Sequence, residues 1–259
     1  MLPSAFASTM LSLFHSEEKP KLPPRNPVAA KVPELDNAEL AAVYYGQRMG
    51  GDFYDFIRVS PHRVLFGLLD VAGRFERNSG IISATQDVFR KRGAELFGNP
   101  DINEADAMAE LSLELNRTVI ASGTSLHACP AFVGCYNEDL GLICYVNAGH
   151  TPGLVRDGKG ISELPATGLP LGLFSHATSE SKMVALEPGA ILLLASRGIV
   201  EAKCKGEEMG MEKLKEDFQN TTASTAKEHC LAVLDKVQEY MCAPPTHDDV
   251  TALALLRTA

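Results

Sequence analysis

The chain has 259 residues, of which 45% are hydrophobic and 22% charged, and its formal net charge is −9 at pH 7. This length and composition are ordinary for a globular protein with a full core, so disorder is not expected for most of the chain. The negative charge argues against binding to a nucleic-acid backbone, which requires a basic surface, but it is compatible with an acidic cleft that holds metal ions.

The N-terminal residues 1–36 differ from the rest of the chain. Residues 11–14 are the apolar part of a short amphipathic stretch, and five prolines follow between Pro20 and Pro33. Proline removes backbone donors and prevents regular helix, so this segment is predicted to be an extended linker. The amphipathic stretch is a candidate contact for homodimerisation, or else a frayed terminus. We expect one domain over residues 37–259.

Strands come first after the linker, at residues 39–46, 52–59 and 63–70, and helical spacing follows at 79–97 and 103–121, with Asn103 as a predicted N-cap. The second half returns to strands and contains one more helix, at 223–241. Its strands are predicted at residues 131–136, 142–146, 153–157, 161–165, 181–187, 190–196 and 250–257. Strands, then helices, then strands predict an α+β domain in which packed antiparallel sheets are flanked by helices.

The six cysteines form no CxxC pair and no run with zinc-ligand spacing, which predicts reduced, mostly buried thiols. No apolar run approaches the roughly 20 residues that span a bilayer. The N-terminal stretch also lacks the basic segment that a signal peptide would require. A cytoplasmic protein without a membrane span is therefore expected.

Acidic residues occur at the ends of three apolar strands. Asp52 follows Gly51, Asp70 ends the run VLFGLLD, and Asp248 and Asp249 introduce VTALALL. Each alone is more simply explained as a turn cap. As a set they indicate divalent cations such as Mg²⁺ or Mn²⁺, because buried carboxylates are costly without a positive partner. Asp249 is expected to be the solvent-facing or capping member of its pair.

Several motifs, in order from about residue 35 to 257, resemble one known family. They are MGGDFYDF, LLDVAG, YVNAGHTPGLV, GLPLGLF, AILLLASRGIVEA and HDDVTALAL. Together they resemble the SpoIIE/RsbU branch of the PPM family of metal-dependent Ser/Thr protein phosphatases. The resemblance implies an αββα sandwich of two antiparallel β-sheets flanked by helices, with a two-metal centre at one end.

The same resemblance implies roles for particular residues. Asp52 and Asp70 would be the catalytic aspartates that bridge and hold two Mn²⁺ or Mg²⁺ ions. The backbone carbonyl of Val71 and the carboxylate of Asp248 would be further metal ligands. A metal-activated water would then attack the phosphorus of a phosphoserine or phosphothreonine. Gly51 would let the backbone approach the site closely.

One position departs from the family pattern. Where the family has a metal-ligating aspartate after its T/S residue, this chain has Arg197, in the sequence ASRG. A guanidinium stays charged and cannot bind a cation, so it would instead pair with Asp52, Asp70 or Asp248. Two hypotheses therefore stand: an active phosphatase with a reduced metal site, and a catalytically impaired fold that binds a phosphoprotein as a regulatory module.

Three other polar residues have less specific roles. His150, in NAGHTP, is a candidate general acid, but turn chemistry explains it more simply. Glu201 is interpreted as a local hydrogen-bond partner rather than a ligand. Asp55 lies an odd number of residues from Asp52, so on a regular strand it faces the opposite side and is predicted to be a supporting carboxylate.

Family members of this kind commonly act on a small anti-anti-sigma (STAS) protein, so the resemblance implies a phosphorylated protein partner of that type and a role in sigma-factor regulation. Neither nucleic acid nor membrane is expected as a partner.

Overall fold

The computed structural model describes residues 32–45, 51–73, 75–123, 127–242 and 249–258. The predicted dimer contact at residues 11–14 and the predicted ligand Asp248 lie outside these ranges. The helices are α1 Phe75–Phe97, α2 Glu104–Ser122, α3 Arg197–Val200, α4 Gly210–Gln219 and α5 Ala226–Tyr240. The strands are β1 Ala38–Tyr45, β2 Asp52–Ser60, β3 Arg63–Asp70, β4 Ala131–Asn137, β5 Leu142–Ala148, β6 Gly153–Asp157, β7 Gly160–Leu164, β8 Lys182–Ala185, β9 Ile191–Ala195, β10 Lys203–Cys204, β11 Glu207–Glu208 and β12 Val250–Arg257.

Ten of these strands form two five-stranded antiparallel sheets. One sheet has the order β1-β12-β9-β6-β7 and the other the order β2-β3-β4-β5-β8. Helices α1 and α2 pack on the second sheet, and α5 packs on β1 and β12 of the first. The predicted αββα sandwich of two antiparallel sheets with flanking helices is confirmed.

The alternation of side chains along the strands divides the core into three layers. On β2 and β3, residues such as Phe56 and Phe66 point between the sheets, where they meet Leu253 and Leu255 of β12. The strand residues of the opposite parity, such as Phe53, face α1 and α2 instead. Because successive strand residues face opposite sides, the parity of a polar residue on these strands decides which layer it enters.

The described helices differ from the prediction at two places. Asn103 caps α2 as expected, since its side chain accepts from the backbone N–H of Ala105 and Asp106. The short helix α3 and the ten-residue helix α4 were not predicted. Helix α4 is amphipathic, with Leu214 and Phe218 buried, but it has only ten residues, fewer than the window of about 11 to 18 over which helical periodicity is recognised.

The expectation that all cysteines are reduced is wrong for one pair. Cys204 of β10 and Cys242, just after α5, form a disulfide with a Cα–Cα distance of 4.8 Å. They are 38 residues apart, and the Tyr240 hydroxyl, at the end of α5, also donates to the Glu207 carbonyl of β11 at 3.3 Å. The other four cysteines are buried and free, as predicted: Cys129, Cys135, Cys144 and Cys230.

In the described part of the chain, every helix is too short or too polar to cross a bilayer.

Candidate active site

Asp52 and Asp70 stand directly opposite each other on neighbouring strands. Asp52 begins β2, Asp70 ends β3, and the antiparallel register pairs their Cα atoms. Both have the strand parity of Phe56 and Phe66, so both carboxylates point into the layer between the sheets. They are 8% and 9% exposed. Like charges directly opposite on a sheet destabilise it, so this arrangement calls for a cation between the strands.

The other sheet contributes a third carboxylate. The backbone N–H of Asp52 donates to Asp249 Oδ2 at 3.3 Å, and the hydroxyl of Thr251 donates to Asp52 Oδ2 at 2.7 Å. Asp249 is 5% exposed, so of its two predicted roles, facing solvent or capping a backbone group, the first is wrong, and its bond from the Asp52 N–H agrees with the second. Its burial follows from the packing of the two sheets, which closes the start of β12 over the start of β2.

Ser196 connects the end of β9 to the carboxylate cluster. It is fully buried, its N–H donates to the Thr251 carbonyl at 2.9 Å, and its hydroxyl donates to the Asp249 carbonyl at 3.1 Å. The N–H of Thr251 donates back to the Ser196 hydroxyl at 2.9 Å. These bonds join the end of β9 to the start of β12, so the residue that follows Ser196 has a defined position beside the carboxylates.

The electrostatics of the cluster follow from its burial. The pKa of Asp52 is raised well above its ordinary value, first by burial and then by the negative charges of Asp70 and Asp249. Hydrogen bonds from Thr251 and Ser196 oppose that rise. The neighbouring thiol of Cys129 also has a raised pKa, because of burial and the same carboxylates, so it stays protonated and is a poor nucleophile.

Gly51 and Val71 make the closest backbone approach at the site. The N–H of Val71 donates to the Gly51 carbonyl at 3.1 Å, and a Cβ on residue 51 would lie 1.9 Å from the Val71 carbonyl oxygen. Only glycine fits there without moving one of the two chains. The Val71 carbonyl, which is the predicted metal ligand, accepts a hydrogen bond from the side-chain amide of buried Asn78 at 3.1 Å. The same Asn78 nitrogen donates to the Ala72 carbonyl at 3.1 Å.

Arg197, the first residue of α3, lies beside Asp70. Its Nη2 is 3.7 Å from Asp70 Oδ2, and its Nε is 3.9 Å from Glu201 Oε1. Arg197 thus pairs with Asp70, one of its three predicted partners, while the third, Asp248, lies outside the described residues. Glu201 lies near Arg197, in keeping with a local role.

A hard divalent ion requires several oxygen ligands, which the carboxylates of this site could supply in part. Among the described residues, no three His, Cys, Asp or Glu side chains are arranged to enclose a metal. A magnesium ion, however, is often held by one or two carboxylates and completes its shell with water. Asp52 and Asp70 are two opposed, buried carboxylates, and burial together with the charges of Asp70 and Asp249 raises the pKa of Asp52, as expected where positive charge is lacking. The residues present therefore fit a partly hydrated divalent cation.

His150 and Asp55 lie outside the carboxylate cluster. His150 Nδ1 is 3.1 Å from the Thr151 carbonyl oxygen, and its buried Nε2 has no hydrogen-bond partner among the described residues. Asp55 points toward α1, on the side opposite Asp52 as predicted, and accepts from Arg90 Nε at 2.6 Å and Gln86 Nε2 at 3.0 Å.

Sequence reasoning missed three residues of the site. Ser196 and Thr251 belong to the quoted motifs ASRG and HDDVT, so a closer examination of those motifs would have found them. Nothing local singles out Asn78, because its contact with the Val71 carbonyl depends on how α1 begins.

The fold and the cluster define the class: an αββα protein with buried carboxylates at one end of its sandwich. The family model of Stage II sporulation protein E (SpoIIE) matches residues 60–258 of this chain. The chain therefore belongs to the SpoIIE family, and the predicted SpoIIE/RsbU branch of the PPM phosphatases is confirmed.

Individual relatives agree with this assignment. Phosphoserine phosphatase RsbU of Bacillus subtilis is 25% identical over 236 residues, which cover 89% of this chain and 66% of RsbU. The PP2C phosphatase domain of Bacillus subtilis SpoIIE, solved with a fragment of its regulatory domain, has a TM-score of 0.70 at 16% identity, covering 85% of this chain and 63% of that one. This chain thus spans just under two thirds of each. RsbX, solved in complex with magnesium, has a TM-score of 0.60 at 11% identity, covering 88% of this chain and 99% of that one.

Proposed function

We propose that this chain is a metal-dependent protein phosphatase that hydrolyses phosphoserine or phosphothreonine on a partner protein. The observation that carries the proposal is the opposition of Asp52 and Asp70 across β2 and β3, with Asp249 against Asp52. Three buried carboxylates in this arrangement need divalent cations, and hard cations are the usual means of neutralising a phosphoryl group. Family membership and the name of RsbU support the same reaction class.

The proposed metal ligands are Asp52, Asp70, the carbonyl of Val71 and Asp248, with Mn²⁺ or Mg²⁺ as the ion. When bound, such ions would lower the pKa of a coordinated water and offset the charge of the phosphoryl oxygens. Asp248 lies outside the described residues, and the magnesium in the RsbX structure is a property of that protein. The choice of metal and the number of ions are part of the proposal.

The remaining residues orient these ligands. Thr251 donates to Asp52 Oδ2 and so restricts rotation of the side chain, which would help Asp52 to hold a cation. Asp249 accepts from the backbone of Asp52 and so positions the start of β2. Ser196 joins the end of β9 to the start of β12 through its hydrogen bonds with Asp249 and Thr251. Such preorganisation places the charges before the substrate arrives, which is the main electrostatic contribution to phosphoryl transfer.

Arg197 favours a second candidate function. Its guanidinium lies 3.7 Å from Asp70, so it supplies positive charge at a carboxylate that we assign to a metal. If this guanidinium takes the place of a metal ion, the chain would be a catalytically impaired member of the family, acting as a phosphoprotein-binding or regulatory module.

For the partner, we propose a phosphorylated protein, with an anti-anti-sigma STAS protein as the specific candidate and sigma-factor regulation as the process. A cytoplasmic location and a homodimer formed through the N-terminal segment remain predictions. The net charge of −9 supports a protein partner over nucleic acid.

The test is hydrolysis of a phosphoserine peptide with and without Mn²⁺ or Mg²⁺. We expect metal-dependent turnover by the wild type and a loss of at least about 100-fold in Asp70→Asn, which keeps the shape but removes the charge. Asp235→Asn, at an exposed position on α5, is the matched control and should keep full activity. No wild-type turnover, with activity appearing in Arg197→Asp, would instead support the impaired module.

A further inference from the structure

A short connection joins the two sheets at the end that carries the carboxylates. Strand β5 ends at Ala148 in one sheet and β6 begins at Gly153 in the other, so residues 149–152 alone cross between them. The hydrogen bond from Thr251 to Asp52 also runs from one sheet to the other. Its geometry therefore depends on how far apart this connection holds the sheets.

The first half of the connection is fixed against the strands that carry Asp70. Gly149 forms a parallel bridge with Ala131 at the start of β4, and the Asp70 N–H donates to the carbonyl of the preceding Pro130 at 2.9 Å. Gly149 has a φ of 69°, and a Cβ there would lie 2.5 Å from the ring of Pro170, so only glycine fits without a shift. The chain thus leaves this sheet in a defined direction.

The second half of the connection is fixed by Thr151 against the end of β9. The Thr151 hydroxyl donates to the carbonyl of Ala195, the residue directly before Ser196. Ser196 in turn exchanges hydrogen bonds with Asp249 and Thr251. A single hydroxyl therefore joins the connection to the segment that orders the carboxylate cluster.

His150 determines the direction of that hydroxyl. A carbonyl oxygen has no proton, so Thr151 is the donor in its bond to Ala195, and its oxygen is left to accept from His150 Nδ1 at 3.0 Å. Nδ1 is also 3.1 Å from the Thr151 carbonyl oxygen, a second acceptor. The ring is neutral, because burial lowers the pKa of His150 to about 4. Its one proton therefore lies on Nδ1.

Turn chemistry does not account for this imidazole. The turn itself is closed by Asn147, whose side chain accepts the backbone N–H of His150 at 2.8 Å. With the proton on Nδ1, the buried Nε2 is an acceptor, and it has no donor among the described residues. A buried acceptor without a donor is costly, so the position retains a ring whose contribution is made through Nδ1.

We propose that His150 and Thr151 are positioning residues that set the spacing of the two sheets at the carboxylates, a role that rests on the proposed phosphatase function. His150 directs the Thr151 hydroxyl to Ala195, and that bond keeps the end of β9 where Thr251 of the neighbouring strand reaches Asp52. Without the bond, β9 and β12 can move relative to β2, and the cation ligands lose the alignment on which metal affinity depends.

The first experiment measures Mn²⁺ binding to the full chain by calorimetry. Thr151→Val keeps the shape but removes the hydroxyl, so it should weaken binding about 3- to 10-fold, the range expected for one lost hydrogen bond. Thr151→Ser keeps the hydroxyl and should restore the wild-type affinity. The matched control is Thr118→Val, because Thr118 is also half-buried and donates to a backbone carbonyl, that of Glu114, at 2.8 Å on α2. It should lower the urea midpoint but not the Mn²⁺ affinity.

A second measurement requires neither metal nor turnover. The backbone N–H groups of Asp52 and Thr251 both donate within the cluster, so their hydrogen exchange reports its local opening. Thr151→Val should accelerate this exchange about 3- to 10-fold, whereas Thr118→Val should not. If Thr151→Val does not fold, His150→Phe, which keeps a ring but has no Nδ1 donor, should show the same changes.

Three results would overturn the proposal. They are unchanged Mn²⁺ affinity and amide exchange in Thr151→Val, an equal loss of Mn²⁺ affinity in Thr118→Val, and a His150 ring that nitrogen-15 NMR shows to carry its proton on Nε2. Absence of wild-type turnover on a phosphoserine peptide, with faster amide exchange in Thr151→Val, would refute the phosphatase function and leave the positioning role standing. Wild-type turnover with unchanged affinity and exchange in Thr151→Val would do the reverse.

Discussion

Replacing Asp55 by asparagine tests whether the buried ion pair between β2 and α1 supports the strand that carries Asp52. The Asp55 side chain is 1% exposed, and its carboxylate accepts from Arg90 twice and from Gln86. The variant keeps the shape but removes the charge and turns one acceptor oxygen into an NH2 donor, so one of the two bonds from Arg90 is lost and the other no longer has an ionised acceptor. Arg90 is 42% exposed and can regain water, which limits the loss. We therefore expect a decrease of about 3 kcal/mol in the free energy of unfolding.

Urea unfolding measures this decrease. With a slope of about 3 kcal/mol per molar, the expected change lowers the midpoint by about 1 M. The matched control is Asp87→Asn on the same helix, where the pair with Lys91 is 67% and 73% exposed. That variant should cost less than about 0.5 kcal/mol.

The reverse substitution adds a check on the reasoning. Arg90→Gln leaves the Asp55 charge buried without its cation, so it should cost at least as much as Asp55→Asn, in which the remaining charge reaches solvent. Equal midpoints for Asp55→Asn and Asp87→Asn would show that burial of the pair has no energetic consequence here.

Three further changes have defined outcomes. Gly51→Ala places a Cβ 1.9 Å from the Val71 carbonyl oxygen, so we expect up to about 3 kcal/mol of destabilisation and a weakened response to Mn²⁺; unchanged metal titration and urea midpoints would contradict this. Burial lowers the pKa of His150 to about 4 from 6.5 in the unfolded chain, so stability should fall by about 3 kcal/mol as the pH drops from about 6.5 to 4, and His150→Gln should flatten that pH profile in urea titrations. Reducing the disulfide of Cys204 and Cys242, which closes a 38-residue loop, should cost about 3 to 4 kcal/mol by thermal unfolding, and six reactive thiols in the unreduced denatured protein would rule the bond out.

Much of the fold could be predicted because its signals are local. The hairpin of β2 and β3 turns at residues 61–62, so its strands and the opposition of Asp52 and Asp70 depend on a short stretch of chain. Periodicity located α1, α2 and α5, whose buried faces repeat along the sequence. Helix α4 was missed because it has only ten residues, too few for its periodicity to be recognised against the surrounding sequence.

The residues of the candidate site likewise fall into those that a local pattern predicts and those that only the packing brings together. Asp52, Asp70 and Val71 are placed by one hairpin and its immediate continuation, so motif and strand pattern were sufficient to select them. The contact of Asp249 with Asp52 joins residues 197 positions apart and exists only because the two sheets stack. The alternation of strand residues could not reveal that stacking.

By itself, the sequence determined the order of strands and helices, the aspartates at the strand ends and the departure at Arg197, since each depends on neighbouring residues. Only the tertiary structure decided that Asp249 is buried against Asp52, that Asn78 binds the Val71 carbonyl, that Arg197 pairs with Asp70 and that Cys204 reaches Cys242. The physical reason is that these contacts arise where separate layers of the sandwich meet. Their geometry depends on how sheets and helices pack, and no local pattern in the chain records that packing.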